Sequence, residues 1–125
     1  MFKRVVPIKQ RHCPPRGTEA YVRITPRLAY ISSGACKLWG DYERCDISID
    51  APNRVMIISP HGDWKLSPVC ETKFAKRIET RNSTMSFLEA GFPKAMLGKY
   101  LPCHVDMAGA LVVSLMVDYD AFKSA

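Results

Sequence analysis

The sequence has no long hydrophobic run. A helix that spans a bilayer needs about 20 consecutive apolar residues, and the longest apolar stretch, residues 108–117, is shorter than this and is interrupted by Ser114. Such a stretch is typical of a strand. Residues 1–12 are positively charged but lack the apolar segment of roughly 7–15 residues that a secretory signal requires. We therefore expect a cytoplasmic protein without membrane contact.

Motifs for common catalytic and metal sites are also lacking. The sequence has no G-x-S-x-G nucleophile motif, no glycine-rich phosphate loop and no H-E-x-x-H zinc motif. Its five cysteines are widely spaced without a C-x-x-C pair, so they are expected to be structural thiols rather than zinc ligands. These are Cys13, Cys36, Cys45, Cys70 and Cys103. We therefore expect a binding protein, not an enzyme, with no cofactor and no metal.

Histidine is scarce, with three residues in the chain. His61 is the strongest candidate for a catalytic base because Asp63 lies close to it in a loop. The same segment, residues 60–63, is a favourable β-turn in its own right, and we favour that interpretation. Asp50 and Asp106 each precede a predicted hairpin turn, where an aspartate bonds local backbone amides. We therefore interpret both as structural.

Positive charge is what the sequence has in excess. Its 18 Lys and Arg residues outnumber 12 Asp and Glu residues, which gives a net charge of +6. The basic residues are concentrated in residues 1–20 and 73–81. Clustered positive charge favours a polyanionic or acidic partner. A solvated basic face that maintains solubility would produce the same pattern.

The order of local patterns predicts one domain preceded by an arm. Residues 1–20 are basic and contain three prolines and a glycine, so they are predicted as an irregular N-terminal arm. Residues 21–125 suffice for a single core. They begin with the strand-like segments YVRIT and LAYI, followed by a short helix capped by Ser32 or Ser33 and ended by Gly40. RCDISID and RVMIIS then form a predicted hairpin around residues 51–53.

The second half of the domain repeats the first. Residues 73–117 contain the strand-like KFAKRIET, a short helix capped by Ser83 or Thr84 and ended by Gly91, and a hairpin around residues 107–109. This order matches residues 22–60. Residues 61–72 are predicted as an irregular connector, since residues 60–72 hold two prolines and a glycine. An unrelated α+β domain with two similar hairpins is the alternative interpretation.

The repeated unit resembles a known family. The resemblance rests on an apolar residue before an A-x-x-L-x-G helix and on an alternating hairpin that ends at proline, namely Ile31, Ala35, Leu38, Gly40, Ile47, Ile49, Val55, Ile57 and Pro60. In these features it is similar to the AbrB-like swapped-hairpin family, whose members usually dimerise by interleaving their hairpins. Two copies in one chain imply a strand-rich α+β domain: a pseudo-dimer barrel with two short helices, present as a monomer or homodimer.

The resemblance also implies a function and a site. In AbrB-like regulators the corresponding strands and loops present arginines to DNA, and the matching positions here are Arg23, Arg27, Lys76, Arg77 and Arg81. The expected function is nucleic-acid binding, to duplex DNA, in a regulatory role. The overall build is also similar to small phage-encoded proteins. The alternative function is therefore a phage-type inhibitor of an acidic host defence or regulatory protein, for example an anti-CRISPR-like protein.

Overall fold

The computed structural model describes residues 19–70, 73–80 and 85–116. The predicted arm therefore lies almost entirely outside the described residues, as do the caps predicted at Ser83 or Thr84. The described part forms eight strands and two short α-helices: β1 (Tyr21–Ile24), β2 (Ala29–Ile31), α1 (Ser33–Trp39), β3 (Arg44–Asp50), β4 (Val55–Pro60), β5 (Trp64–Cys70), β6 (Lys73–Ile78), α2 (Met85–Glu89), β7 (Tyr100–Val105) and β8 (Leu111–Ser114). A 3₁₀ turn at Lys94–Met96 precedes β7.

The strands close into one antiparallel barrel in the order β1-β2-β6-β5-β3-β4-β8-β7. This confirms the predicted strand-rich α+β domain with two helices. Four of the eight neighbouring pairs join the two halves of the chain: β2 with β6, β5 with β3, β4 with β8, and β7 with β1. The closed strand order is symmetric. If β1 is exchanged with β5, β2 with β6, β3 with β7 and β4 with β8, every strand keeps the same pair of neighbours. The two halves are therefore interleaved rather than side by side.

The helices also contact the opposite half of the chain. The indole Nε1 of Trp39, at the end of α1, donates a 3.1 Å hydrogen bond to the carbonyl oxygen of Gly109 in the β7–β8 turn. Gly91, which follows α2, lies against the β3–β4 turn, where an added Cβ would be 2.9 Å from the Cβ of Ala51. Each helix thus ends against the hairpin turn of the other half.

The interior of the barrel is filled by alternate residues of its strands, as expected for an eight-stranded barrel. The largest fully buried aliphatic side chains come from both halves: Val22, Ile24, Ile31, Ile58, Ile78, Leu101, Leu111 and Val113, with Met56 among them. Successive strand residues point to opposite sides. The residues between them therefore face outward and form the surface described below.

Several local predictions are confirmed. Ser32 is the N-cap of α1, because its Oγ accepts a hydrogen bond from the amide of Ala35, and Gly40 ends the helix at φ 136°. The hairpin β3–β4 forms with Asp50 paired to Val55. Asp106 caps the second hairpin turn, since its Oδ1 accepts from the amides of Ala108 and Ala110 at 2.9 Å.

The prediction of an irregular connector over residues 61–72 is wrong. Strand β5 occupies residues 64–70 and pairs with β6 along most of its length. Pro68 has no N–H to donate to a neighbouring strand. It is tolerated because β3 pairs with β5 only at Trp64 and Lys65, so no strand on that side needs a hydrogen bond from Pro68. Pro102 in β7 is paired with Tyr21 of β1, while β8 pairs only from Cys103 onward. Both prolines lie where a strand is paired on one side.

Candidate functional site

Tyrosines and arginines alternate across the outside of the barrel. The strand registers place Tyr100 of β7 opposite Arg23 of β1, Arg23 opposite Tyr30 of β2, and Tyr30 opposite Arg77 of β6. Directly opposed residues in antiparallel strands lie on the same face of the sheet. The four side chains therefore form one row around the barrel. The row crosses three strand spacings, a span of about 14 Å.

The outward direction of this row follows from the core. Val22 and Ile24 of β1 are fully buried, so Arg23 between them points away from the interior. Ile78 of β6 is buried in the same way, and the adjacent Arg77 is exposed. Tyr30 and Tyr100 are half-buried, and the rings of both pack against Tyr21.

Tyr21 supports the tyrosines of the row. Its ring contacts Tyr30 at a centroid distance of 5.9 Å and meets Tyr100 edge-on at 5.3 Å. Burial, together with charge repulsion from Tyr30 and a side-chain hydrogen bond to Tyr30, raises the pKa of the Tyr21 hydroxyl to about 12. Tyr21 is therefore a neutral phenol at physiological pH, and its ring packs against the two half-buried rings of Tyr30 and Tyr100.

Arg23 is held in place by its neighbours. Its Nε donates a 3.1 Å hydrogen bond to the carbonyl oxygen of Gly98. The guanidinium carbon lies 4.9 Å from the centroid of the Tyr100 ring, within the range of a cation–π contact. The terminal nitrogens of this guanidinium remain as donors in a fixed position.

A cavity of about 320 Å³ adjoins the row. It is lined by Arg27 from the β1–β2 turn and by Arg77, Ile78, Glu79 and Thr80 from β6 and its end. Among the described residues, the guanidinium groups of Arg27 and Arg77 have no hydrogen-bond or ion-pair partner. The carboxylate of Glu79 accepts a hydrogen bond from the hydroxyl of Ser67 on β5. We call this combined surface the Tyr–Arg face; its residues are Tyr21, Arg23, Arg27, Tyr30, Arg77 and Tyr100.

Lys76 does not lie on the Tyr–Arg face. It points to the opposite side of β6 from Arg77, and its side chain is only 11% exposed. Its ammonium donates to the carbonyl oxygen of Tyr42 at 2.5 Å and pairs with the carboxylate of Asp41 at 2.5 Å. The predicted set therefore divides into Arg23, Arg27 and Arg77, which the fold brings together, and Lys76, which ties β6 to the loop after α1. Arg81 lies outside the described residues.

The tyrosines were the part of the face that sequence reasoning mostly missed. In the sequence Tyr30 lies three residues after Arg27, and the period-two alternation of β1 places Tyr21 on the same side as Arg23. No local pattern points to Tyr100, because it joins the row only through the pairing of β7 with β1, about 80 residues apart in the chain.

His61 and the cysteines of the described residues, which were considered as catalytic or metal-binding residues, are packed against other parts of the fold. His61 lies in the turn before β5 at φ 64°, and its ring meets the edge of Tyr42 at 5.4 Å. Burial raises the thiol pKa of Cys36 to about 11 and those of Cys45 and Cys103 to about 12. The described residues contain no group of three or more His, Cys, Asp or Glu side chains placed to hold a metal ion.

No helix within the described ranges is long and apolar enough to cross a membrane. Comparisons of the chain with protein-family models, with curated proteins and with solved structures each gave no match.

Proposed function

We propose that this protein binds nucleic acid in a regulatory role through the Tyr–Arg face. The observation that carries the proposal is the row in which Tyr100, Arg23, Tyr30 and Arg77 alternate over four adjacent strands. Guanidinium groups bind phosphates and release condensed counterions. Tyrosine rings between them offer flat surfaces for bases. This combination serves a partner that carries both phosphates and aromatic rings.

The charge of the face sets the expected strength of the salt effect. Three arginines of the described face can each contact a phosphate: Arg23, Arg27 and Arg77. The logarithm of the affinity should then fall with the logarithm of salt concentration at a slope of about −3 on duplex DNA or about −2 on a single strand. Basic residues 3–16 and Arg81 would make the slope steeper.

The decisive experiment is a salt titration of labelled oligonucleotides by fluorescence anisotropy. Arg77→Gln should weaken binding and make the slope shallower by about one unit. Arg54→Gln is the matched control, because exposed Arg54 precedes β4, which lies outside the four strands of the row and three strands from β6 in the barrel order. An equal loss in both variants, or no binding of the parent protein at low salt, would contradict the proposal.

The interleaved strand order supports a second part of the proposal, that the barrel is an AbrB-like swapped-hairpin pseudo-dimer. In such a dimer, each subunit would supply the strands that now belong to one half of the chain. The mutual packing of α1 and α2 against the opposite hairpin turns supports the same origin. A cytoplasmic location is supported by the free thiols of Cys36, Cys45 and Cys103, since reducing compartments keep thiols unpaired.

An exposed apolar surface supports the alternative function, inhibition of a protein partner. Leu38 on α1, Val69 on β5 and Phe74 on β6 are 66%, 51% and 58% exposed, and α1 packs against β6. Large exposed apolar side chains suit a protein partner better than a polyanion. Capture of a protein from nuclease-treated lysate that is lost in Phe74→Ser but retained in Arg77→Gln would favour this function over the first.

A further inference from the structure

We propose that the Tyr–Arg face binds single-stranded nucleic acid in preference to a duplex, with unpaired bases stacked on Tyr30 and Tyr100. This inference rests on the proposed function and specifies the form of its ligand. A single-stranded ligand differs from the duplex DNA that the family resemblance implies. Three features of the face lead to it.

The first feature is the placement of the rings. Tyr30 and Tyr100 lie two strands apart with Arg23 between them, so each ring is flanked by a guanidinium group. Tyr21 packs against both rings, which fixes them before any ligand arrives. Fixed, half-buried rings beside guanidinium groups form a stacking platform, and stacking is open to any base because every base has a π-face.

The second feature is the position of the row on the fold. Its residues lie within strands of the barrel surface, not on a helix or a hairpin that projects from it. Reading a duplex requires an element that enters a groove and reaches base edges. The faces of paired bases are covered by their neighbours in the stack. Half-buried rings within the strands of a barrel can therefore reach the faces of unpaired bases but not those of a duplex.

The third feature is the cavity beside the row. Arg27 and Arg77 line it together with the hydroxyl of Thr80, and both arginines are exposed. These donors suit a phosphate of a strand whose bases stack on the rings. Glu79 also lines the cavity, but its single negative charge is outnumbered by the two guanidinium groups, and its carboxylate accepts a hydrogen bond from the hydroxyl of Ser67. The cavity thus offers a phosphate position next to Tyr30, which lies opposite Arg77.

The test compares two ligands on the same protein variants. One is a fluorescein-labelled oligo(dT) of about 15 nucleotides, a length within the site sizes of β-barrel binders, and the other is a duplex of equal length. The parent protein should bind the single strand about tenfold or more tightly. Compared with the parent protein, Tyr30→Leu should bind the single strand about tenfold more weakly, whereas its affinity for the duplex should change less than about twofold.

Tyr30→Phe is the matched control, because it keeps the ring and should retain single-strand affinity within about twofold. Thermal unfolding of each variant verifies that the barrel is intact, and Tyr100→Leu repeats the test at the second ring. Equal or tighter binding of the duplex, or an equal loss in Tyr30→Phe and Tyr30→Leu, would overturn the single-strand inference while leaving nucleic-acid binding in place. Binding of neither ligand would overturn the proposed function as well.

Discussion

Lys76 and Arg77 are neighbours in β6 that point to opposite sides of the barrel surface. Both carry a positive charge, and both were candidates for the same binding site. The alternation of side chains in a strand separates them. Lys76 is nearly buried beneath the loop that follows α1, whereas Arg77 is exposed beside Tyr30. Substitution of Lys76 should therefore affect stability, and substitution of Arg77 should affect binding.

Replacing Lys76 should affect stability and not binding. In Lys76→Met the stem keeps its packing, but the carbonyl oxygen of Tyr42 loses its donor, at a cost of about 1–3 kcal/mol. The ion pair adds little to this, because Asp41 is 83% exposed and solvent screens the interaction. Urea unfolding measures the change in the free energy of unfolding, and the oligonucleotide affinity should stay within about twofold.

Arg77→Gln is the reciprocal variant. It should leave the free energy of unfolding within about 0.5 kcal/mol of the parent, as is usual for exposed sites, while weakening binding. If Lys76→Met instead lost affinity without losing stability, the assignment of Lys76 to a structural role would be wrong.

The hydroxyl of Ser32 joins the start of helix α1 to the barrel. The Oγ of Ser32 accepts hydrogen bonds from the amides of Ala35 and Tyr21 at 3.2 and 3.0 Å and donates to the carbonyl oxygen of Glu19 at 2.7 Å. Ser32 is fully buried. The N-cap of α1 therefore also positions the start of β1, which carries Tyr21 and Arg23.

Removal of this hydroxyl should be costly for a short helix. Ser32→Ala loses the cap, worth about 1 kcal/mol, and leaves the buried amide of Tyr21 without a partner, at about 1–3 kcal/mol. We expect the free energy of unfolding to fall by about 2–4 kcal/mol in chemical denaturation. Ser48→Ala, at an exposed position of β3, is the control and should change it by less than about 0.5 kcal/mol. Similar small losses in both variants would show that the Ser32 network contributes little.

The whole molecule is expected to unfold as one unit. Every strand of one half has a neighbour from the other half, so neither half can form its barrel segment alone. Such non-local pairing, with one shared core, favours all-or-none unfolding.

A pair of core residues tests this expectation. Ile58 of β4 and Leu111 of β8 are fully buried and directly opposed in the register between the halves. Ile58→Ala and Leu111→Ala should each lower the free energy of unfolding by about 2–5 kcal/mol. In hydrogen exchange, each variant should lower the protection of β1–β4 and β5–β8 together. Retained protection of either half in one variant would show that the halves fold independently and would contradict the interleaved architecture.

The pairing between halves also limited what could be predicted for the site. Arg23 and Arg77 could be proposed from the sequence because basic residues are a local signal and the family resemblance implies these positions. The inward position of Lys76 could not be predicted, because KFAKRIET leaves open which residues face the core until β6 is paired with β2 and β5. Strand β5 was missed because proline usually breaks a strand, and Pro68 lies within it. A strand can contain proline where one of its sides is unpaired, and that condition is not visible in the sequence.

The sequence by itself determined the local units: a serine cap at residue 32 or 33, the end of α1 at Gly40, the two hairpins and their order in two similar halves. These depend on hydrogen bonds and turn geometry within a few residues, so neighbouring side chains suffice to specify them. Only the tertiary structure decided which strands meet, because strand pairing depends on contacts between distant segments around a shared core. The row of Tyr100, Arg23, Tyr30 and Arg77 is a product of that pairing. It combines residues from three separate parts of the chain into one surface.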